Sequence, residues 1–296
     1  MCLLTLIISH RLVNFTSLDR ASSINNRYFQ SWATNEDEQR NNYTSQMEEI
    51  FRKQRRLIAE ELMGYPYPSG MNNTFSRSLE DFVPELGGNP VRILIITSWR
   101  SGSTFLGDVI NSHPGIYYHY EPLWYFGNVQ FRGEAAASGA IRHLRKLFNC
   151  NYTDMEHYLS FAKKYDESFQ LNTRLWKQCE QHPALCWAPE FLNPFCRLFP
   201  FQSIKVVRLR LSLVEELLED PNLDVRVLLL VRDPRGTLQS RKHHQWCLRN
   251  PDCYEAIRLC TDLVADYSAA VRFSIKYPHR FRAVRYEDLS VEPYKS

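Results

Sequence analysis

Residues 96–110, ITSWRSGSTFLGDVI, contain the turn that decides the fold of this chain. An apolar run, RILIIT at residues 92–97, precedes a tight turn of small polar residues, and apolar residues at helical spacing follow it. This order predicts a buried strand, an anion-binding loop and a helix. The loop lacks the kinase pattern G-x-x-x-x-G-K-[ST], because it has a single glycine and its basic residue, Arg100, precedes that glycine. The rest of the sequence must therefore indicate which anion such a loop binds.

Composition and charge are those of an ordinary globular protein. The 296 residues suffice for one large domain or a domain with an extension, and 44% are hydrophobic and 23% charged. The net charge of +3 is small for this length. Bulk electrostatics therefore give no support for nucleic-acid binding, and any anion site must be local.

Strand and helix patterns alternate through most of the chain. The pattern predicts strands at residues 91–97, 116–121, 204–210, 225–231 and 281–287, and helices at residues 103–112, 213–220, about 254–276 and from Pro234 onward. The continuous apolar run VRVLLLV is typical of a strand buried on both faces. This alternation predicts an α/β domain with a parallel sheet and ligands at the carboxyl ends of its strands. The aromatic, cysteine-rich middle at about residues 127–200 is expected to be mostly irregular.

The first loop, WRSGST, has the residues that an anion site requires. Its backbone N–H groups start a helix, where the helix dipole favours an anion, and Gly102 lets the backbone approach closely. Ser103 and Thr104 add hydroxyl donors, and Arg100 adds a forked positive charge. The alternative is an N-capped helix after a core strand, with an incidental arginine.

A second strand-to-helix turn, LLLVRDPRGTLQSR at residues 228–241, repeats this arrangement. Pro234 suits the first position of a helix, Arg232 leaves the end of the strand, and Ser240 lies about two helical turns further on. The alternative is that Asp233 caps the helix and the arginines are merely solvated. Two strand-end anion loops in one sheet fit a ligand with phosphates at both ends.

Four motifs in this order, SWRSGSTF, YEPLW, LVRDPRGTLQSR and VRYEDL, resemble the Golgi carbohydrate 6-O-sulfotransferases. The resemblance runs over about residues 91–292, with a weakly matching middle. It implies a P-loop-like parallel sheet flanked by helices, the donor 3′-phosphoadenosine 5′-phosphosulfate (PAPS) and no metal. The loop that the resemblance assigns to the 5′-phosphosulfate comprises Arg100, Ser101, Gly102, Ser103, Thr104 and Phe105, and Arg232 and Ser240 match positions for the 3′-phosphate.

The same resemblance implies transfer of a sulfuryl group to the 6-hydroxyl of galactose, N-acetylgalactosamine or N-acetylglucosamine, in glycans such as keratan or chondroitin. Arg100 is the candidate for charge stabilisation at the leaving phosphate. A sugar hydroxyl needs a base within hydrogen-bond reach, and Glu121 in HYEPLW is the candidate. The alternative is that Glu121 only satisfies a nearby turn.

Other charged and aromatic residues near the motifs have weaker signals. Trp124 and Tyr125 could stack on a sugar ring or belong to the core. Lys205 and Arg208 could meet an acidic glycan, but ordinary strand-end charges are the expected interpretation. Arg285 in RYEDL could lie near the donor.

The N-terminal part and the cysteines favour a secretory protein. The apolar start, MCLLTLIISHRLV at residues 1–13, is predicted to be the remnant of a signal-anchor or signal peptide, and a mildly apolar disordered start is the alternative. Eight cysteines without a C-x-x-C pair suggest disulfides in an oxidising lumen, or small core residues in a cytosolic protein. In a lumen, local disulfides are expected within the groups Cys179/Cys186/Cys196 and Cys247/Cys253/Cys260, and the odd number of seven cysteines in the body of the chain leaves one free. The predicted glycosylation sites are the sequons at Asn14, Asn42, Asn72 and Asn151.

These features predict three parts. Residues 14–85 form a stem or linker that contains an amphipathic helix at residues 47–63, and residues 86–296 form a catalytic domain that is expected to be truncated at its C-terminus. The resemblance implies a type II membrane protein of the Golgi lumen, with a homodimer as an open alternative to a monomer. A kinase on the same fold and a non-catalytic glycan- or nucleotide-binding relative remain competing hypotheses.

Overall fold

The structure is a computed structural model that describes the backbone of residues 18–67 and 77–293 and the side chains of residues 40–67 and 77–293. The apolar start and the sequons at Asn14 and Asn72 lie outside the described residues. Within them, no helix is both long and apolar enough to cross a membrane. The chain divides into two units, residues 1–50 and 51–296, and the second contains the sheet.

Five parallel strands form this sheet, in the order β2-β3-β1-β4-β5. Their bounds are Val91–Ile96 for β1, Ile116–Tyr120 for β2, Phe201–Val206 for β3, Val225–Val231 for β4 and Phe281–Arg285 for β5. The predicted α/β architecture is confirmed. The expected third strand begins and ends earlier than the pattern indicated, because residues 207–210 leave the sheet.

The central position of β1 determines where a ligand can bind. Ile96 at its carboxyl end pairs with Val206 of β3 on one side and with Leu229 of β4 on the other. The chain leaves β1 toward β2 on the β3 side, while β4 and β5 extend the sheet on the opposite side. Strand order thus reverses at β1, and a crevice opens at the carboxyl ends of strands at such a point.

The α-helices cover the sheet and also occupy the middle of the chain. In order, α1 to α13 are Leu18–Glu61, Ser103–Asn111, Glu134–Phe148, Glu156–Lys164, Glu167–Gln170, Thr173–Gln181, Pro189–Arg197, Glu215–Glu219, Pro234–Arg241, Gln245–Leu248, Pro251–Tyr254, Ala256–Lys276 and Tyr286–Val291. Short 3₁₀ helices lie at Leu79–Phe82, Pro84–Leu86, Pro122–Phe126, Leu185–Trp187 and Leu211–Val214.

One expectation about these helices was wrong, and a second gave a helix that is longer in the structure. The middle of the chain is helical rather than irregular, since α3 to α7 lie within it. Its short helices bury aromatic residues against one another, and such brief segments give little periodicity to detect. The amphipathic helix expected at residues 47–63 is the end of α1, which begins at Leu18, so much of the expected linker is helical as well.

Three disulfides join described cysteines: Cys150–Cys196, Cys179–Cys186 and Cys247–Cys253. Each expected local group contains one disulfide, but Cys196 pairs with Cys150 outside its group, and Cys260 is free and exposed. The two pairs within the middle of the chain connect the loop after α3 to α7, and α6 to the 3₁₀ helix Leu185–Trp187. These cross-links therefore hold the helical segment that separates β2 from β3.

Both remaining sequons can be placed. Asn42 is exposed on α1. Asn151 lies in the loop after α3, where its side-chain oxygen accepts a hydrogen bond from the N–H of Thr153 at 3.0 Å. Glycosylation at either asparagine stays a prediction.

Candidate active site

A cavity of about 720 Å³ lies at the carboxyl ends of β1, β2, β3 and β4. The first loop lines it with Arg100, Gly102, Ser103 and Thr104, and the segment after β2 lines it with Glu121 and Trp124. Further wall residues come from positions distant in sequence, among them Arg208, Arg232, Trp246 and Tyr286. The topology therefore brings both predicted loops and the candidate base to one crevice.

The first loop has a backbone that only certain residues tolerate. Arg100 has a φ of 67° and Gly102 a φ of 87°, both in the left-handed region. A Cβ atom on Gly102 would lie 2.1 Å from the ring of Tyr286, so the glycine is required by space as well as by conformation. Leu106 on α2 packs against Ile95 of β1, which fixes the helix behind the loop to the sheet.

Hydrogen bonds join the two loops directly. Nη1 of Arg232 donates to the carbonyl oxygen of Arg100 at 3.0 Å, and Nε of Arg100 donates to Oγ of Ser240 at 3.1 Å. The carboxylate of Asp233 accepts a hydrogen bond from the N–H of Arg235 at 2.8 Å, so Asp233 does cap α9. The preceding residue, Arg232, contacts the other loop. The capping interpretation and the anion-site interpretation are therefore compatible.

Two residues of the predicted donor loop are not among the described residues that line the cavity. The buried Ser101 donates to the carbonyl oxygen of Ser98 at 2.7 Å and contacts the hydroxyl of Thr97, which donates to the carbonyl oxygen of Leu230 at 2.7 Å. Phe105 is exposed on α2. Ser101 thus connects the loop to β4 through Thr97. A role in binding the sulfuryl donor stays a prediction for both Ser101 and Phe105.

Glu121 is held by two cations. Its Oε1 lies 2.6 Å from Nζ of Lys205, and its Oε2 lies 2.7 Å from Nη1 of Arg208. Burial raises the pKa of Glu121, but the charges and hydrogen bonds of both cations outweigh that effect and lower the pKa below its ordinary value. The side chain is 16% exposed, so an ionised carboxylate sits at the wall of the cavity.

The expectation that Lys205 and Arg208 are ordinary strand-end charges was wrong. Their side chains are 0% and 4% exposed, and Lys205 also lies 3.6 Å from the ring centroid of Tyr120. Arg208 donates further to the carbonyl oxygen of Gly127 at 2.8 Å. The residue pattern of one strand cannot predict this burial, because the carboxylate that compensates the two charges, Glu121, follows a different strand.

Of the two aromatic candidates, Trp124 lines the cavity and packs on Tyr165. Tyr125 is not among the described lining residues and packs on Phe161 and His143. Arg285 is not among the described residues that line this cavity: its side chain is largely exposed, and its guanidinium lies 3.6 Å from the carboxylate of Asp288.

The wall residues that the sequence reasoning missed include Tyr286 and Trp246. Tyr286 follows Arg285 directly in the RYEDL motif, so that motif held the only available signal, and its ring lies 4.4 Å from the guanidinium of Arg232. Trp246 contacts Trp99 edge-on at 5.6 Å between ring centroids. Its position depends on the turn closed by Cys247–Cys253, which no motif marks.

The chemistry of the crevice follows from this arrangement. Arg100 and Arg232 offer positive charge beside the N-terminus of α2, where backbone N–H groups favour an anion. Glu121 offers a carboxylate at the carboxyl end of β2, and Trp124 adds an aromatic surface to the same cavity wall. Such a site can bind a phosphorylated ligand at the loops and present a hydroxyl group to the carboxylate.

Comparison with known proteins gives matches over the same part of the chain. Residues 90–296 match the model of the sulfotransferase domain. Similar curated proteins include human carbohydrate sulfotransferase 6 and mouse carbohydrate sulfotransferase 5, each 30% identical, with 71% and 70% of this chain and 62% of each relative covered. Human carbohydrate sulfotransferase 3 is 28% identical, with 71% of this chain and 53% of the relative covered. The chain thus spans about 62% of the length of the first two relatives.

Proposed function

Because this chain belongs to the carbohydrate sulfotransferase family, we propose that it transfers a sulfuryl group from PAPS to the 6-hydroxyl of galactose, N-acetylgalactosamine or N-acetylglucosamine. The proposed acceptors are glycans such as keratan or chondroitin. The observation that carries the proposal is the convergence of both anion loops and Glu121 on one cavity.

The loops would hold the donor. The family in general uses PAPS, and the residues present fit such a group, because Arg100, Arg232 and the start of α2 place positive charge along one side of the cavity. Arg100 and the loop N–H groups would hold the 5′-phosphosulfate, and Arg232 and Ser240 the 3′-phosphate. When bound, PAPS supplies the sulfuryl group. Arg100 would also stabilise the charge that develops on the leaving phosphate.

Glu121 would accept the proton of the acceptor hydroxyl. Its lowered pKa means that the carboxylate is ionised and free of a proton at lumenal pH. Trp124, beside it in the cavity wall, offers a flat surface on which a sugar ring can stack. Together they would orient the sugar so that the hydroxyl faces the loops, as in-line transfer requires.

We also propose that the protein works in the Golgi lumen as a type II membrane protein. The disulfides support an oxidising compartment, since such bonds persist outside the cytosol. A homodimer is compatible with this proposal and would be tested by sedimentation.

The test is transfer of radiolabelled sulfate from PAPS to desulfated keratan and chondroitin, with the wild type beside Glu121→Gln. We expect transfer that Glu121→Gln abolishes while binding of 3′-phosphoadenosine 5′-phosphate is retained. Glu85→Gln is the matched control, because Glu85 pairs with Arg55 outside the cavity lining. Nucleotide binding without transfer would instead support a non-catalytic relative.

A further inference from the structure

The buried pair of cations behind Glu121 has no evident contact of its own with a substrate. Lys205 is fully buried on β3 and is not among the described residues that line the cavity. Arg208 does line the cavity, but its three donor groups point to Glu121, to the carbonyl oxygen of Gly127 and to Oδ1 of Asn128. Both cations are therefore committed to the protein.

A fully buried lysine is costly unless a partner offsets its desolvation. The partner of Lys205 is the carboxylate proposed to be the base, and one cation meets each of its two oxygens. We propose that Lys205 and Arg208 are positioning residues for sulfuryl transfer, which keep the largely buried Glu121 carboxylate ionised and fixed toward the cavity. This inference rests on the function proposed above.

Contacts of both the backbone and the side chain hold Glu121 in its orientation. Its φ of 43° is left-handed, which is rare for a glutamate, and its N–H donates to the carbonyl oxygen of Lys205 at 2.9 Å. The carbonyl oxygen of Glu121 accepts the N–H of Trp124 at 2.8 Å. With both carboxylate oxygens also bonded, the side chain cannot rotate without breaking an ion pair.

The ionisation of Glu121 follows from the charges that surround it. The ionisable groups around the pair include Tyr118 and Tyr120 on β2 and Asp108 on α2. Burial raises the pKa of Tyr118, so this phenol is neutral, and burial also raises the pKa of Asp108, whose charge acts on Lys205. Neither group supplies positive charge. Lys205 and Arg208 therefore provide the charge that offsets the desolvation of Glu121.

The role in the reaction follows from the balance of atoms. The acceptor oxygen forms a bond to sulfur, the bond from sulfur to the donor phosphate oxygen breaks, and the hydroxyl proton passes to the Glu121 carboxylate. A carboxyl group that is already protonated cannot take this proton. Without the cations, burial would leave a larger fraction of Glu121 protonated in a mildly acidic compartment, and the transfer rate would fall as pH falls.

The test compares the pH dependence of kcat/KM for sulfate transfer over about pH 4 to 8, where the free enzyme's base determines the acid limb. The variants are Lys205→Met and Arg208→Gln, with Arg208→Lys as the charge-preserving counterpart. Arg92→Met is the matched control: Arg92 is also buried, but it donates to the carbonyl oxygens of Phe148 and Leu223 at the amino end of β1.

We expect the acid limb of Lys205→Met and Arg208→Gln to move upward by about 1–3 pH units, the usual effect of one opposite charge nearby. Arg208→Lys and Arg92→Met should keep the wild-type midpoint, even where the melting temperature falls. A purely structural role would lower activity equally at all pH values. Wild-type midpoints in both neutralising variants, with transfer still measurable, would overturn the inference.

A second measurement does not depend on transfer. The ¹³C signals of carboxyl-labelled glutamates can be titrated by NMR, and the signal that Glu121→Gln removes identifies Glu121. This signal should titrate at higher pH in Lys205→Met or in Arg208→Gln than in the wild type, whichever variant folds. An unchanged titration overturns the role of the cations. Absence of sulfate transfer in the wild type would instead count against the proposed function.

Discussion

At the scale of single residues, the two loops that line the cavity depend on side chains that contact several partners at once. Arg232 donates to the carbonyl oxygen of Arg100 and also faces the ring of Tyr286. Arg100 in turn donates to Ser240. Arg100 and Arg232 therefore each present positive charge to the cavity and also hold a neighbouring side chain or carbonyl group in place.

We expect Arg232→Ala to weaken binding of 3′-phosphoadenosine 5′-phosphate by about 1.5–3 kcal/mol, the value of a hydrogen bond to a charged group. Ser240→Ala should weaken it in the same direction. Isothermal titration calorimetry measures both changes.

The control for this prediction is Arg235→Ala. Arg235 lies three residues away, its side chain is 90% exposed, and it pairs with Asp233. Its removal should leave nucleotide affinity at the wild-type value. If all three variants bound the nucleotide like the wild type, the assignment of the second loop to the 3′-phosphate would be wrong.

The residues of the site could be predicted from the sequence where a short motif contains them, but not where tertiary packing brings them into the site. Glu121 and Arg232 directly follow the ends of β2 and β4, and Arg100 lies in the turn after β1, so their positions could be inferred from the alternating pattern. Tyr286 enters the site because α13 begins where β5 ends, beside a loop almost 190 residues earlier in the chain. Such proximity depends on strand order, which sequence spacing does not encode.

At the scale of elements, the helical middle of the chain is held by cross-links of very different span. Cys150–Cys196 closes a separation of 46 residues, whereas Cys179–Cys186 closes one of 7. A longer closed loop restricts the unfolded chain more strongly. The first disulfide should therefore stabilise the fold more than the second.

We expect Cys150→Ser/Cys196→Ser to lower the free energy of unfolding by about 4 kcal/mol, as loop-closure entropy indicates. Cys179→Ser/Cys186→Ser is the matched control and should cost about 2 kcal/mol on the same basis. Urea denaturation of both double variants gives the two values. Equal losses would show that loop length does not determine the effect here.

At the scale of the whole molecule, two buried histidines make stability depend on pH. Burial lowers the pKa of His119 to about 3, with a further contribution from the charge of His143. Burial lowers the pKa of His143 to about 4, with a further contribution from Lys146. Their ordinary pKa is about 6.5, so between these values the unfolded chain binds protons that the folded protein excludes.

The free energy of unfolding should therefore fall as pH drops from about 6.5 toward 4, by about 1.4 kcal/mol per pH unit for each neutral histidine. His143→Phe keeps an aromatic ring beside Tyr125 and Tyr158 and removes one titrating group. The free energy of unfolding of His143→Phe should therefore fall by about 1.4 kcal/mol less per pH unit than that of the wild type.

Urea denaturation at several pH values checks this prediction, and His279→Gln is the control because His279 is exposed. The control should keep the wild-type slope. A wild-type slope in His143→Phe would mean that this histidine contributes nothing to the acid sensitivity of the fold.

The sequence by itself determined the α/β class, the two anion loops and the candidate base. Local apolar runs and turn residues specify these features, because a strand, its loop and the following helix are neighbours in the chain. Only the tertiary structure decided that both loops meet at Arg100, that Lys205 and Arg208 are buried against Glu121, and that the middle of the chain is helical. The physical reason is that burial and ion pairing depend on which strand ends become neighbours, and the order β2-β3-β1-β4-β5 is set by packing of the whole domain.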